Sequence, residues 1–226
     1  MTDIARNLTS LKSRIPDSVK LVAVSKTKPA EDILEAYYSG QKIFGENRVQ
    51  EILKKKDQLP SDIEWHLIGH LQSNKVRSIV PYVRMIQSVD SFKIISVINT
   101  ESLKSNRITD CLFELHIAEE ETKSGFSMNE LDEMFDSQEF NYLRNVRICG
   151  VMGMATFTID ESQVRKEFRH LTGYFNTLKE KYFKTDPHFR EISMGMSGDF
   201  QIAIEEGSTM IRIGSLIFGE RELNQL

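Results

Sequence analysis

The chain has 226 residues, 40% of them hydrophobic and 27% charged, which is ordinary globular composition with enough apolar material for a sizeable core. Its formal net charge of −4 draws it neither to nucleic acid nor to anionic lipid, so any anion site must be local. No apolar run approaches the roughly 20 residues of a membrane span, and the polar start Met1-Thr2-Asp3-Ile4-Ala5-Arg6-Asn7 lacks a signal-peptide core, so a cytoplasmic protein is expected.

In chain order, an initial helix is predicted over 3–13, followed by a buried strand over 21–25 that ends in Lys26. Further strands are predicted over 42–45, 64–68, 85–87, 111–117, 147–151, 191–194 and 210–213. Helical stretches lie between them at 29–38, 48–56, 74–80, 92–104, 128–135, 162–182 and 199–205, with a last one from Ser215. Cys111 and Cys149 each sit in an apolar strand-like run without the spacing of a metal or redox motif, which predicts buried, reduced thiols. The acidic run Glu119-Glu120-Glu121 reads as a solvated loop after the fifth strand.

Eight βα units in about 200 residues fit a compact (β/α)8 TIM barrel better than an open doubly wound sheet. No GxGxxG fingerprint follows the first strand, and no linker or low-complexity segment divides the chain. The expected organisation is one barrel domain over 1–226, with the N-terminal helix as an addition.

In such a barrel the reactive residues belong at the C-terminal ends of the strands. Lys26 stands there after the first strand. A desolvated lysine can attack a carbonyl to form a Schiff base, and the alternative is an amine that snorkels into water. Phe44-Gly45-Glu46-Asn47-Arg48 ends the second strand and Ile68-Gly69-His70-Leu71-Gln72-Ser73-Asn74-Lys75 the third. After strands seven and eight come Ser193-Met194-Gly195-Met196-Ser197-Gly198-Asp199 and Arg212-Ile213-Gly214-Ser215. Loops at these two places are the usual phosphate cradle of the architecture, since glycine allows close backbone approach and serine donates a hydrogen bond. The same residues also serve as turns and helix caps. Arg212 lies beside the first strand once the barrel closes; it can serve a carboxylate, a phosphate or a ring nitrogen, or pair with Glu46, Glu205 or Glu206. His66 and His70 are four apart across a strand end, a poor geometry for a zinc pair. Met152, Met154, Met194 and Met196 read as packing at the barrel mouth first and ligand contact second.

Taken together, Ala23-Val24-Ser25-Lys26-Thr27, the Phe44 and Ile68 segments preceded by Trp65-His66-Leu67, Gly150-Val151-Met152-Gly153-Met154 and the two glycine–serine loops resemble the pyridoxal phosphate homeostasis protein family. The motifs follow family order over nearly the whole chain. The resemblance implies a single barrel of the alanine racemase type, PLP fold-type III, that binds pyridoxal 5'-phosphate (PLP) as a covalent aldimine at Lys26. It places Ser193, Ser197, Gly214 and Ser215 around the phosphate, Arg212 at the pyridine nitrogen, and Asn47 and His70 on loops reaching the cofactor. Met152 joins the cofactor-binding set. The family commonly has proline where this chain has His70, and threonine where it has Ser215.

An arginine opposite the pyridine nitrogen keeps the ring unprotonated and a poorer electron sink. Racemases of this type add a β-rich second domain, for which a chain ending at Leu226 leaves no room. The resemblance therefore implies a monomeric PLP carrier, without turnover, that buffers the cofactor or delivers it to PLP-dependent apo-enzymes. A minimal amino-acid racemase is the alternative. Setting the resemblance aside, a Schiff-base aldolase acting on a sugar phosphate would use the same lysine and phosphate loops.

Overall fold

A computed structural model describes residues 2–118 and 125–220. The acidic run at 119–121 lies outside the described residues, as does the chain beyond 220. The strands are β1 (Lys20–Val24), β2 (Ile43–Glu46), β3 (Glu64–Leu67), β4 (Val83–Val89), β5 (Thr109–Glu114), β6 (Val146–Met152), β7 (Glu191–Ser193) and β8 (Met210–Ile213). The helices are α1 (Asp3–Lys12), α2 (Ala30–Tyr38), α3 (Val49–Lys55), α4 (Val76–Ile79), α5 (Phe92–Lys104), α6 (Met128–Asp136), α7 (Glu161–Lys181), α8 (Phe200–Glu205) and α9 (Ser215–Phe218). All the strand pairs are parallel, and β8 returns to β1 with Val22 opposite Arg212, so the sheet closes into the expected eight-stranded barrel.

Local chemistry explains the element ends. Ser127 and Glu130 form a reciprocal capping box that starts α6, and Asp160 accepts from the N–H groups of Ser162 and Gln163 to start α7. The fifth strand begins two residues before its apolar run suggests and ends three residues earlier, at Glu114. Beyond Glu114 the chain folds back on itself: Phe126 N–H donates to the Glu114 carbonyl at 2.7 Å and His116 N–H to the Phe126 carbonyl at 3.1 Å. These bonds satisfy the backbone that the neighbouring strands would otherwise pair.

Strand alternation sends side chains to two cores. Outward residues such as Ala23, Phe44, Leu67, Ile86, Phe113, Val151 and Ile211 pack against the helices. Inward residues Val22, Met85, Leu112, Cys149, Met152 and Met210 fill the barrel itself. Burying each of the larger ones stabilises the fold by roughly 1.5–3 kcal/mol. Burial pushes the Cys149 thiol up to about 12 and the Cys111 thiol well above its usual value, so both are neutral thiols held in packing rather than reactive groups.

The β5–β6 register shifts at Cys111/Leu112, whose partners are Ile148 and Gly150. Cys149 is therefore the extra residue of a bulge. The bulge resets alternation so that Cys149 and Met152 both face inward, which an unbroken two-residue period would forbid. Gly150 sits in this bulge at φ +149°, and a Cβ there would lie 1.8 Å from the Glu191 carbonyl oxygen on β7. Gly150→Ala is accordingly expected to destabilise the barrel by about 3 kcal/mol, read as a Tm drop of roughly 6–12 °C in thermal unfolding. An unchanged Tm would mean that the bulge relaxes freely.

At the N-terminal end of the barrel the charges are paired off. Lys20 meets Glu191 at 2.5 Å, Arg147 meets Asp110 at 2.5 Å, and Arg84 lies 3.3 Å from the same Asp110. The opposite end is differently built. No helix among the described residues is long and apolar enough to cross a membrane.

Candidate functional site

A cleft of about 730 Å³ opens at the C-terminal ends of the strands, a size that suits a small-molecule ligand. Lys26, Asn47, His70, Ser197, Arg212, Gly214 and Ser215, far apart in sequence, all line it. Two residues of the expected set do not. Met152 is fully buried in the barrel interior, because the bulge turns it inward below the mouth; Met154 lines the cleft instead. Ser193 is also fully buried, and its hydroxyl is engaged away from the opening, donating to Gln87 Oε1 at 2.7 Å and accepting from Arg212 Nη1 at 2.6 Å.

Lys26 is half-buried on a tight turn just beyond β1. Thr27 adopts φ +67°, a left-handed conformation that costs a β-branched residue energy and needs outside support. That support comes from α3 and β2. Thr27 N–H donates to Glu51 Oε2 at 2.7 Å, and Lys28 N–H closes the turn onto the Ser25 carbonyl at 3.0 Å. Lys55 Nζ reaches from α3 to donate to the Ser25 carbonyl at 3.0 Å, Glu46 Oε1 at 2.7 Å and Glu51 Oε2 at 3.0 Å. Ser25 Oγ donates to the same Glu46 oxygen at 2.7 Å.

Glu46 is completely buried, and its second carboxylate oxygen, Oε2, has no hydrogen-bond partner. Burial pushes its carboxyl up to about 7 despite the opposing pull of Lys55 and Ser25. Burial also pulls Glu51 upward, but the Thr27 N–H and Lys55 outweigh it and leave that carboxyl lowered. The turn that carries Lys26 is thus backed by a buried, charged clamp rather than by apolar packing.

Arg212 is buried at the floor of the cleft, where Nη2 donates to the Gly153 carbonyl at 3.0 Å. Burial draws its guanidinium down to about 10, with Asp199 and Glu114 opposing, so it remains a cation at neutral pH. It pairs with none of the three glutamates considered from the sequence: Glu46 meets Lys55, while Glu205 and Glu206 meet Arg165. From Ser193 the chain of hydrogen bonds continues through Gln87 to His66 Nδ1 at 2.8 Å. Burial, then the charges of Lys20 and Arg84, hold His66 down to about 3, so it is neutral with its proton on Nε2. His70, by contrast, is exposed and faces Asp90 at 3.0 Å.

The loops after β7 and β8 supply unpaired donors. Among the described residues, the N–H groups of Ser197, Gly198, Ser215 and Leu216 have no protein acceptor, and the two serine hydroxyls stand beside them. Asp199 Oδ1 accepts from Met196 N–H at 2.5 Å and so shapes the first loop. This donor set, with a buried cation and a lysine at the same opening, suits a phosphate monoester bearing a carbonyl. The opening is apolar at its edge, where Phe157 is 97% exposed on the β6–α7 loop. Glu167 of α7 pins that loop by accepting from Thr156 N–H at 2.6 Å and Thr156 Oγ1 at 2.7 Å.

Sequence reasoning did not find the Glu46–Lys55–Glu51 clamp or Glu114 at the cleft. The signal for the clamp was present: Glu46 ends an apolar strand as Lys26 does, and Glu51 and Lys55 stand four apart on a predicted helix. Glu114 carried none, because its inward direction follows from the strand's register.

Fold and site define a barrel of the alanine racemase class, and the sequence profile of the alanine racemase N-terminal domain family matches residues 1–222. Alanine racemase of Clostridium difficile shares that fold at 13% identity, with a TM-score of 0.73 over 98% of this chain and 57% of that one. The chain belongs to the pyridoxal phosphate homeostasis protein family. The relative so named from Aquifex aeolicus is 43% identical over 205 residues, covering 90% of this chain and 87% of that protein. The relative of that name from Vibrio alginolyticus is 37% identical over 237 residues, 98% of this chain and 99% of that protein. PipY of Synechococcus elongatus, solved with PLP bound, superposes with a TM-score of 0.87 at 35% identity, over 96% of this chain and all of that one.

Proposed function

We propose that this barrel domain, over 1–226, holds pyridoxal 5'-phosphate in its mouth and keeps the cofactor available to the cell, without turning over a substrate. The observation that carries the reading is the convergence of Lys26, Arg212 and the unpaired donors of two glycine–serine loops on one cleft. Support comes from the PLP-bound relative PipY and from the names of the full-length relatives. Lys26 would hold the cofactor covalently through its carbonyl carbon, the amine taking the place of the carbonyl oxygen, which leaves as water. Ser197, Gly214 and Ser215 would hold the phosphate through hydroxyl and backbone N–H groups, and Asn47 and His70 would line the space left for the ring. Ser193 and Met152 act at one remove, Ser193 by fixing Arg212 and Met152 by filling the barrel interior.

Bound PLP supplies a reversible carbonyl and an electron-withdrawing ring. Arg212, a cation at neutral pH, would disfavour protonation of the ring nitrogen, which limits carbanion chemistry and suits a carrier better than a racemase. We place the protein in the cytoplasm as a monomer that passes PLP to apo-enzymes, a reducing setting in keeping with its two unpaired, buried thiols.

The test is to add PLP to the purified protein, reduce with borohydride and map the modified peptide, then assay amino-acid racemisation by the loaded protein. Modification confined to Lys26 with no turnover above free PLP is the expected result. Steady turnover at enzymatic rates would establish a racemase instead. No uptake of PLP would return the site to an aldolase, which borohydride would trap only with a carbonyl substrate present.

A further inference from the structure

Beside the cofactor cleft lies a second cavity of about 500 Å³, lined by Asn47, Arg48, Val49, Gln50, His70, Gln72 and Lys75. Asn47 and His70 line both cavities, so the two share a wall. It is built by the turn after β2 and the segment after β3, adjacent strands whose ends meet at the mouth. Gly69 is packed so closely on Asn47 that a Cβ there would lie 2.5 Å from the Asn47 carbonyl, which holds the two segments in one arrangement.

The chemistry of the lining is one-sided. Every lining residue except Val49 carries a side-chain hydrogen-bond donor, and no carboxylate lines the cavity. His70, which meets Asp90 through Nδ1 at 3.0 Å, lines the cavity with a side chain that is largely exposed. Arg48 and Lys75 have no ion-pair partner and no side-chain hydrogen bond among the described residues, whereas the cations at the N-terminal end of the barrel are paired. Lys75 is moreover half-buried. In a chain of net charge −4, two unmatched cations in one cavity rich in amide donors make a local field for an oxyanion.

We propose that Asn47, Arg48, His70 and Lys75 form a second oxyanion site, beside the cofactor cleft, that takes a phosphate monoester or a carboxylate. It extends the proposed function without depending on it. An anion held there shares the Asn47 and His70 walls with whatever occupies the cleft, so an arriving and a departing ligand can be bound together.

The experiment is calorimetric titration of inorganic phosphate, and separately of acetate, into protein already loaded with PLP to fill the cleft. The comparison is between wild type, the double variant Arg48→Gln/Lys75→Gln, and the control Lys166→Gln/Lys184→Gln, which removes the same charge from exposed positions elsewhere. Phosphate affinity is expected to fall at least tenfold in the first pair and to stay within twofold in the control. Acetate binding lost in the same variant assigns a carboxylate site; loss for phosphate alone assigns a phosphate monoester site. Equal affinity in all three proteins, or an equal loss in the control, would overturn the proposal. Should the protein take up no PLP, the titration is repeated on Ser197→Ala/Ser215→Ala, so that failure of the cofactor reading stays separate from failure of this one.

Discussion

Lys26→Ala is expected to abolish the visible absorption band that PLP gives with the wild-type protein, and with it all borohydride trapping, while the barrel stays folded. The band requires a Schiff base, and Lys26 is the lysine placed at the strand end facing the phosphate-type donors of both glycine–serine loops. Those donors and Arg212 remain in the variant, so weak, dialysable PLP binding should persist. Lys26 is half-buried at the end of a strand rather than in a packed core, so its truncation should move Tm by a few degrees at most. A surviving band would point to Lys28, which also lines the cleft. Its Nζ, however, is already committed to the Phe218 carbonyl at 2.8 Å.

The second large effect concerns Lys55. Lys55→Met removes the only cation that faces Glu46 within the clamp and leaves a fully buried carboxyl with Ser25 alone. Breaking a buried pair from one side typically costs about 3–5 kcal/mol, and urea unfolding should show a loss of that order. The loss should depend on pH in a defined direction. Glu46 in the folded protein is raised to about 7, above its unfolded value, so the native state keeps a proton that the unfolded chain has already released. The stability linked to this group is therefore full below the unfolded pKa and declines as pH rises toward 7. Without Lys55 the carboxyl moves higher still, so the decline extends past pH 7 and the variant suffers more at pH 8 than at pH 6. Adding Glu46→Gln should remove that extra slope and recover part of the stability, because a neutral amide no longer requires a cation.

The same substitution also reads on the site. Ser25 loses the Lys55 donor to its carbonyl, and Glu51, which holds the strained Thr27, loses its cation. One charge-assisted bond of roughly 1.5 kcal/mol corresponds to about tenfold weaker PLP retention. A variant that is less stable but retains PLP as tightly as wild type would confine the clamp to a structural role.

By itself the sequence determined the alternation of strands and helices, the closed parallel barrel and the residues at its working end, because these depend on local periodicity and on where each strand stops. Lys26, Ser197, Arg212 and Ser215 were legible for that reason: each follows or ends an apolar run, and the architecture carries such positions to one face. Only the tertiary structure decided which of those residues reach the opening. Met152 and Ser193 sit at strand ends as the others do, yet the β6 bulge turns one inward and a hydrogen bond to Arg212 holds the other below the mouth. The buried clamp behind Lys26 was likewise decided there. Its members come from a strand end and the following helix, and neither Lys55 nor Glu46 declares its burial until α3 packs against β2 and Lys55 reaches the turn after β1, with water excluded from both. Periodicity specifies faces, but desolvation and side-chain direction arise only when those faces meet.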